Sequence, residues 1–549
     1  MRFFSGAIVG AVVATSMTFV SSSTAHADDI VLPEPTPVDV STTTVPAVTD
    51  APAAARTATG DELVAALPAR RTDDFGLVGV TWDTGFDPTG LLVEVRLRSA
   101  GAWGEWEELH VETDDGDEGG RDGTEPLWVG SADGVSVRVT SPTGERPTGI
   151  KVATIDPGTT ATEAYATSAT SAFYSSGASA MTAVIDGAPS YTAPPAIISR
   201  AAWGAAPNTK CDTPIAGDET KGVVVHHTAG TNTYTQDQSA SIVRATQAYH
   251  MKARKWCDVG YNFLVDQYGQ IFEGRNGGID RAVRAAHSGN ADVNTYTMGV
   301  SMMGTFSTTQ PTDATKDAMV RLIGWRLATT YHPAIGTYAI GGKTLNRIAG
   351  HRDVVGTECP GAAAYAWLSA PGGLRDRVAA YTAAYSTPIA GRVASLGAAK
   401  TGPIFIGEYQ FGANGGGSKV RAARLDIISS PRGTFNLADH VRSRYASLGS
   451  ENSVLGVPKS TLHTTRRSSV KVQRFVDGSI YRVKRKGKTS GYAVWGSIEN
   501  KYIKLKQADG RLGAPTKTQR AISGGRQRAY FAKGTLTLER NGRVTVSKK

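Results

Sequence analysis

Two stretches without hydrophobic periodicity constrain the fold of this chain most strongly, because they divide it into separate modules. Residues 28–58 are rich in Pro, Thr, Val and Ala, and residues 156–192 are rich in Ala, Ser and Thr. Neither stretch has a helical or strand period, and both compositions are typical of linkers. Since 549 residues exceed what one hydrophobic core usually organises, we expect three or four compact units.

The first 27 residues resemble a secretory signal peptide. A short basic start precedes an uncharged run at 3–20, and Ala25-His26-Ala27 provides a small-x-small cleavage site. The alternative is an uncleaved membrane anchor, but Ser and Thr interrupt the apolar run. We therefore expect cleavage after Ala27 and a secreted protein. In an oxidising compartment, the three cysteines predict one disulfide and one cysteine with another role.

Residues 59–155 predict an all-β, sandwich-like domain. Apolar and polar residues alternate in FGLVGVTWD, LLVEVRLRS and VSVRVTS, and Gly, Asp and Pro clusters separate these segments. The acidic run at 113–123 lacks the spacing of a calcium-binding loop, so we interpret it as a solvated loop. Two roles stay open for this domain, carbohydrate binding and inhibition of the domain that follows it by direct contact, and its residues do not decide between them.

Residues 193–388 predict an α/β domain with a mixed central sheet flanked by helices. KGVVVHHT and TMGVSMMGTF predict buried strands, and GYNFLVDQYGQIFEGR predicts a hairpin. Apolar residues at helical spacing predict helices at 235–256, with Thr235 as its N-cap, and at 313–331.

The histidine pair that ends the VVVHH strand is the first candidate for chemistry. Side chains of neighbouring strand residues point to opposite faces, so at most one of His226 and His227 faces a given site. Downstream, GHRDVVGTECPG places His351 eight residues before Cys359 in a Gly- and Pro-bounded loop. Two histidines and a cysteine match a zinc site with three protein ligands and one open position. The spacing also allows Cys359 to form a disulfide instead.

Seven motifs in this order resemble the peptidoglycan-recognition-protein and type-2 N-acetylmuramoyl-L-alanine amidase family, whose enzymes depend on zinc. They are ISRAAWGA, VVVHHTAG, WCDVGYNFLVD, IFEGR, AHSG, MGVSMMGTF and GHRDVVGTECPG, and they span about residues 195–385. The resemblance implies that His226, His351 and Cys359 hold Zn²⁺, while His227 points away. Cys211 and Cys257 then remain for the disulfide.

The resemblance also implies roles for residues around the metal. Tyr261 matches the active-site tyrosine, and Thr357 stands where phage enzymes carry lysine and animal amidases carry threonine. Four further residues match positions that contact substrate in the family: His250, His287, Arg275 and Asn290. For His250, a structural role is an equal alternative.

Residues 389–549 repeat themselves at an offset of 56 to 57 residues. Leu455-Gly456-Val457-Pro458 recurs as Leu512-Gly513-Ala514-Pro515, and a degenerate earlier copy occupies about 390–440. The copies resemble LGFP repeats, with Val457 and Ala514 in place of Phe. That resemblance implies association with the wall of mycolic-acid-bearing actinobacteria, and hence meso-diaminopimelate-type peptidoglycan as substrate.

Positive charge is concentrated in the repeats. Residues 441–549 contain 25 Lys and Arg against 5 Asp and Glu, a net charge of +20, whereas the rest of the chain carries −10. Such a segment predicts a polyanionic partner and salt-sensitive attraction. For an exported protein we expect anionic wall polymers or an outer lipid layer, and no nucleic acid.

These features together predict a secreted, envelope-associated zinc amidase that cleaves between N-acetylmuramic acid and L-alanine of the stem peptide. One alternative is a non-catalytic peptidoglycan-binding envelope protein. Another is a zinc peptidase that cuts within the stem peptide, because the ligand set alone does not select the scissile bond.

Overall fold

The computed structural model describes residues 34–48, 62–112, 120–160, 163, 193–207, 214–467 and 469–548. The predicted signal peptide, parts of both predicted linkers, Cys211 and residues 113–119 of the acidic run lie outside the described residues, so the predictions for them stay predictions. The linker prediction is wrong for residues 39–44, which form a strand that pairs with Lys151–Asp156. The described residues within Thr36–Thr159 and Ala180–Lys549 form one compact unit, and the other described residues belong to a second. Among the described helices, none is long and apolar enough to cross a membrane.

The N-terminal domain is all-β, as predicted, but its strands are hydrogen-bonded into one eight-stranded sheet rather than two separate sheets. Two long strands pair through several register shifts, and alternation places Val93, Val95 and Leu97 in the core. The strands are Asp39–Thr44, Glu62–Trp82, Leu92–Ser99, Ala102–Leu109, Val111–Glu112, Asp122–Thr124, Leu127–Ser141 and Lys151–Asp156.

The central domain contains a five-stranded mixed sheet with helices on both faces, which confirms the α/β prediction. In spatial order the strands are Ile271–Glu273, Phe263–Val265, Thr297–Met302, Gly222–His227 and Ile348–Gly350. The pair formed by Ile271–Glu273 and Phe263–Val265 is antiparallel, and the other pairs are parallel. A separate hairpin joins Thr337–Ile340 and Lys343–Asn346.

Helices cover the two faces of this sheet. One face packs against Asp313–Thr329, Ala362–Ser369 and Leu374–Ala384, and the other against Ser239–Ala248. The short helix Ala291–Tyr296 precedes the strand Thr297–Met302. The predicted helix at 235–256 begins with a 3₁₀ turn at Gln236–Gln238 and ends with a π-helical turn at Tyr249–Ala253. The central strand Gly222–His227 is buried along its whole length, so its last residues enter the site from the core.

The C-terminal region consists of three units, each a helix followed by a four-stranded antiparallel sheet. Two matched hydrogen bonds support the predicted offset of 57, because the hydroxyls of Tyr445 and Tyr502 donate to the carbonyls of Gly456 and Gly513 at 3.1 and 2.6 Å. The main helices are Pro388–Leu396, Asp439–Ala446 and Gly496–Lys504, with Ala398–Thr401 added in the first unit. The strands are Ile404–Phe411, Gly417–Ala422, Leu425–Ser430, Gly433–Ala438, His463–Thr464, Val470–Arg474, Gly478–Arg485, Lys488–Trp495, Pro515–Ile522, Arg526–Phe531, Gly534–Leu538 and Val544–Lys548.

Candidate metal centre and active site

The parallel strands bring two histidines together at one edge of the central sheet. His226 is the next-to-last residue of its strand, where it pairs with Ser301. On the other side Gly350 pairs with Val225, so His351 leaves the sheet directly beside His226. The two imidazole rings lie 4.4 Å apart between centroids. Parallel pairing therefore joins two residues that are 125 positions apart in the sequence.

Cys359 completes the cluster from the loop that follows His351. The backbone N–H of Arg352 donates to the Cys359 carbonyl at 2.9 Å, which closes this loop. The thiol Sγ lies 3.8 Å from Nδ1 of His226, and one donor atom from each of the three residues lies within 4.8 Å of the others. All three side chains are buried. Cys359 is not disulfide-bonded, so the alternative of a disulfide at this residue is not adopted.

The donor set fits a zinc ion. Zinc binds imidazole nitrogen at about 2.0 Å and thiolate sulfur at about 2.3 Å in tetrahedral geometry, which places two such ligands about 3.6 Å apart. The observed Nδ1–Sγ separation of 3.8 Å is close to this value. The backbone N–H of His227 also donates to the sulfur at 3.3 Å, a contact that favours the thiolate form of a ligand.

His287 orients His226 through its ring nitrogens. Nε2 of His226 lies 3.0 Å from Nδ1 of His287, and Nε2 of His287 lies 3.3 Å from the hydroxyl of Thr297. That hydroxyl donates to the carbonyl of Val293 at 2.7 Å, so it accepts from His287. His287 Nδ1 then accepts from His226 Nε2–H, which leaves the lone pair of His226 Nδ1 directed towards Cys359 and His351.

Burial keeps these imidazoles neutral, as metal ligation requires. Desolvation, reinforced by the neighbouring imidazoles of His351 and His287, lowers the pKa of His226 well below its ordinary value. Desolvation and the nearby His351 lower the pKa of His287 to about 3. Both rings are therefore uncharged at neutral pH.

His227 has a structural environment on the opposite face, as predicted for the second histidine of the pair. Its Nδ1 accepts a hydrogen bond from the backbone N–H of Phe306 at 3.2 Å. Its ring lies 6.5 Å from the ring of Phe306 and 6.4 Å from His110 of the N-terminal domain. The side chains of His226 and His227 thus lie on opposite faces of the sheet, and the side chain of His226 lies in the metal cluster.

Tyr261 lies beside the metal cluster, with its ring 5.3 Å from that of His226. Its hydroxyl donates to Oε1 of Glu125 in the N-terminal domain at 3.0 Å. His250 supports Tyr261 from below: its Nδ1 accepts from the backbone N–H of Gly260 at 3.1 Å, and its ring stacks on Trp256. This arrangement favours the structural alternative for His250, whose pKa burial lowers well below its ordinary value.

Of the four residues predicted to contact substrate, His287 is hydrogen-bonded to His226 of the metal cluster, and the ring of His250 lies beside that of Tyr261. The side chains of the other two form hydrogen bonds with backbone groups. Arg275 donates to the carbonyl of Val259 at 3.1 Å. Asn290 caps the helix Ala291–Tyr296, because its side-chain oxygen accepts from two backbone N–H groups of the first turn. Substrate contact by these residues stays a prediction.

Thr357 lies in the loop between His351 and Cys359, and its hydroxyl accepts from the backbone N–H of Cys359 at 3.2 Å. It also lines a cavity of about 410 Å³. Sequence reasoning did not find the residues on the far wall of this cavity, His110 and Val111, which belong to the N-terminal domain. Nor did it find Glu125 or Thr297, since no local pattern marks a contact between distant segments.

Comparison with known proteins finds relatives of the central and N-terminal domains. Residues 216–362 match the family model described as N-acetylmuramoyl-L-alanine amidase, and residues 35–169 match the one described as Rv3811 N-terminal galactose-binding domain-like. Peptidoglycan-recognition protein SC1a/b of Drosophila simulans is 31% identical over 165 residues, which are 30% of this chain and 80% of that protein. Human peptidoglycan recognition protein 3 is 32% identical over 176 residues, 32% of this chain and 46% of that protein. A Drosophila PGRP-LB structure is 28% identical, covers 32% of this chain and 93% of that chain, and gives a TM-score of 0.27.

The sheet, its His-His-Cys cluster and the matched model define a domain of the type-2 amidase class. The chain belongs to the peptidoglycan-recognition-protein family. Membership supports peptidoglycan binding or amidase activity for the central domain, which is preceded by a galactose-binding-like domain and followed by a β-rich region.

Proposed function

We propose that this protein is a zinc-dependent N-acetylmuramoyl-L-alanine amidase, which hydrolyses the amide between N-acetylmuramic acid and the L-alanine of the stem peptide. The observation that carries the proposal is the convergence of His226, His351 and Cys359 within 4.8 Å, with Tyr261 beside them. Three buried metal-ligating side chains that meet at one point favour metal-dependent chemistry over binding alone.

His226, His351 and Cys359 would hold the ion. Bound zinc supplies Lewis-acid chemistry, because it polarises a carbonyl and lowers the pKa of water. Neighbouring residues of the protein orient the ligands. His287 fixes the tautomer of His226, and the backbone N–H of His227 stabilises the thiolate of Cys359.

Tyr261 is the residue suited to stabilise the oxyanion that develops on the scissile carbonyl. Its hydroxyl is a hydrogen-bond donor next to the metal cluster, and one such donor contributes about 3 kcal/mol to the transition state. Thr357 would form part of the wall of the neighbouring cavity. The absence of a lysine at position 357 removes lysine-assisted catalysis from this proposal.

The remaining predictions complete the proposal. Residues 1–27 would direct export, and the +20 segment at 441–549 would bind anionic wall polymers or the outer lipid layer through LGFP-like repeats. The substrate would be peptidoglycan of the meso-diaminopimelate type. Cys211 and Cys257 would form the disulfide of the exported protein.

Product identification tests the scissile bond. Full-length protein loaded with zinc is incubated with purified diaminopimelate-type peptidoglycan, and the products are analysed by mass spectrometry beside a Cys359→Ser variant. Stem peptides with a free N-terminal alanine, absent with the variant, support the amidase. Products that keep muramic acid on L-alanine support the zinc peptidase, and an untouched sacculus that still binds the protein supports the non-catalytic alternative.

A further inference from the structure

One loop of the N-terminal domain reaches the candidate metal centre. The strands Val111–Glu112 and Asp122–Thr124 pair at the tip of that domain, and the backbone N–H of Glu125 donates to the carbonyl of His110 at 2.8 Å. We call residues 121–126 the capping segment. Its position is set by backbone hydrogen bonds within its own domain, so its contacts with the catalytic domain are held in place.

Glu125 of the capping segment contacts the catalytic residue Tyr261 directly. The Tyr261 hydroxyl donates to the Glu125 carboxylate at 3.0 Å, and the two residues are 5% and 6% exposed. Tyr261 has one hydroxyl proton to donate. While that proton serves Glu125, it is not available to an oxyanion, so this contact and catalysis exclude each other.

Further contacts bind the capping segment to the catalytic domain. The backbone N–H of Arg121 donates to the Arg254 carbonyl at 2.7 Å. The Arg254 side chain returns a bond to the Arg121 carbonyl at 2.7 Å. The hydroxyl of Tyr249, fully buried between the domains, lies 2.8 Å from the carbonyl of Thr124. Because these hydrogen bonds use backbone groups, whose positions are fixed by the fold of each domain, they indicate a specific interface.

The shape of the interface is equally specific. The Tyr249 ring rests against Gly79 of the N-terminal domain, where an added Cβ would lie 2.4 Å from the ring. The Pro126 carbonyl lies against Gly230, just beyond the strand that carries His226. The N-terminal domain therefore lies over the edge of the sheet where the metal ligands converge.

The consequence is a closed site. His226, His351, Cys359 and Tyr261 are at most 5% exposed, although the proposed substrate is a polymer whose amide must reach them. We propose that the N-terminal domain is an intramolecular inhibitor of the amidase site, and that Glu125 occupies the position of the substrate carbonyl next to Tyr261. This inference rests on the proposed function, and it favours inhibition over carbohydrate binding, the two roles that the sequence left open for the N-terminal domain.

The opposite role for Glu125 is a carboxylate that takes part in the reaction. The two roles predict changes of opposite sign, because removing an inhibitor raises the rate and removing a catalytic group lowers it. Glu125→Gln keeps the shape of the side chain and removes its charge. Tyr249→Phe removes a hydrogen bond from the same interface without touching Tyr261 or the metal ligands.

The test compares four full-length proteins: wild type, Glu125→Gln, Tyr249→Phe and Glu145→Gln. The last is a matched control, since Glu145 is an exposed glutamate of the same domain. Two rates are measured for each: release of stem peptides from diaminopimelate-type peptidoglycan, and alkylation of Cys359 by iodoacetamide in zinc-free protein, followed by mass spectrometry. The second rate reports access to the site without requiring activity.

We expect both rates to rise in Glu125→Gln and Tyr249→Phe and to stay at the wild-type value in Glu145→Gln. The glutamine amide oxygen can still accept from Tyr261, so Glu125→Gln exchanges a charge-assisted hydrogen bond for a weaker neutral one, which corresponds to a change of roughly five- to tenfold. Slower peptide release by Glu125→Gln, or both rates unchanged in both interface variants, would overturn the proposal. If no protein releases peptides, the amidase function fails, and the alkylation rates alone then decide whether the N-terminal domain closes the site.

Discussion

Replacing His287 with alanine tests the geometry of the metal centre most sharply. Of the three predicted zinc ligands, His287 is hydrogen-bonded to His226. Its Nδ1 accepts from Nε2–H of His226 at 3.0 Å. His287→Ala leaves all three ligands in the chain. It removes the group that selects which nitrogen of His226 carries the proton, so part of the His226 population presents an N–H towards the metal.

The magnitude follows from two costs. A buried donor left without its acceptor costs about 1–3 kcal/mol, and loss of a residue that orients a metal ligand lowers affinity by about 10- to 100-fold. A tenfold change is about 1.4 kcal/mol, so the two estimates agree. We therefore expect the Kd for zinc to rise by about 10- to 100-fold in His287→Ala.

Zinc affinity is measured by competition with a chelator of known affinity, and unfolding of the zinc-free proteins is measured in parallel. His287→Gln serves as the conservative control, because its side-chain oxygen is an acceptor and should recover part of the affinity. A zinc affinity within twofold of wild type in His287→Ala would refute the relay. So would an equal loss in His287→Gln and His287→Ala, because shape alone would then explain the effect.

Three further predictions concern other parts of the chain. Gly299→Ala should reproduce the loss of zinc affinity seen in His287→Ala, because a Cβ at residue 299 would lie 2.4 Å from the His287 ring; normal affinity by the same competition assay would count against this packing. Burial and the nearby cation Arg254 lower the pKa of His250. Burial and the nearby cation Arg347 lower the pKa of His332 to about 4. Since the unfolded state then binds more protons, the free energy of unfolding of zinc-free protein should fall as the pH drops below about 6.5, by up to about 1.4 kcal/mol per pH unit for each group. Urea unfolding at pH 7 and 5.5 measures this, and His332→Asn should show a shallower dependence. Tyr445→Phe and Tyr502→Phe should each lower the free energy of unfolding by about 1 kcal/mol, because each loses the matched bond to a glycine carbonyl; unequal losses in thermal or urea unfolding would contradict the equivalence of the repeats.

The strands and helices that carry the central site were predictable from local patterns, and the family resemblance implied which of their residues meet. A valine-rich strand that ends in two histidines predicts a buried strand with one histidine at the sheet edge, and parallel pairing then brings the segment before His351 to the same edge. The helix at 313–331 followed from its apolar spacing, and its apolar residues Met319, Leu322, Ile323 and Leu327 are fully buried. Periodicity within one strand or one helix predicts burial, whereas the meeting of His226 with His351 depends on the pairing of separate strands.

The closed state of the site was not predictable, because it depends on contacts between distant segments. Glu125 and Tyr261 are 136 positions apart, and neither residue lies in a pattern that indicates the other. Strand periodicity predicts which residues face a core but not which strands pair, so the single sheet of the N-terminal domain also escaped prediction. His287 was predicted to contact substrate, whereas its contact with His226 depends on the conformation of a loop in which the Asn294 side-chain oxygen accepts from the His287 backbone N–H at 2.9 Å.

Zinc titration of metal-free protein tests the central claim most directly. Full-length wild type, Glu125→Gln and Cys359→Ser are stripped of metal, and release of stem peptides with free N-terminal alanine is followed as zinc is added. We predict no peptide release without zinc. As zinc is added, release should rise and saturate at one zinc per chain in wild type and in Glu125→Gln, and Cys359→Ser should release none. Release from the metal-free proteins, or equal release by Cys359→Ser, would contradict a zinc amidase built on His226, His351 and Cys359.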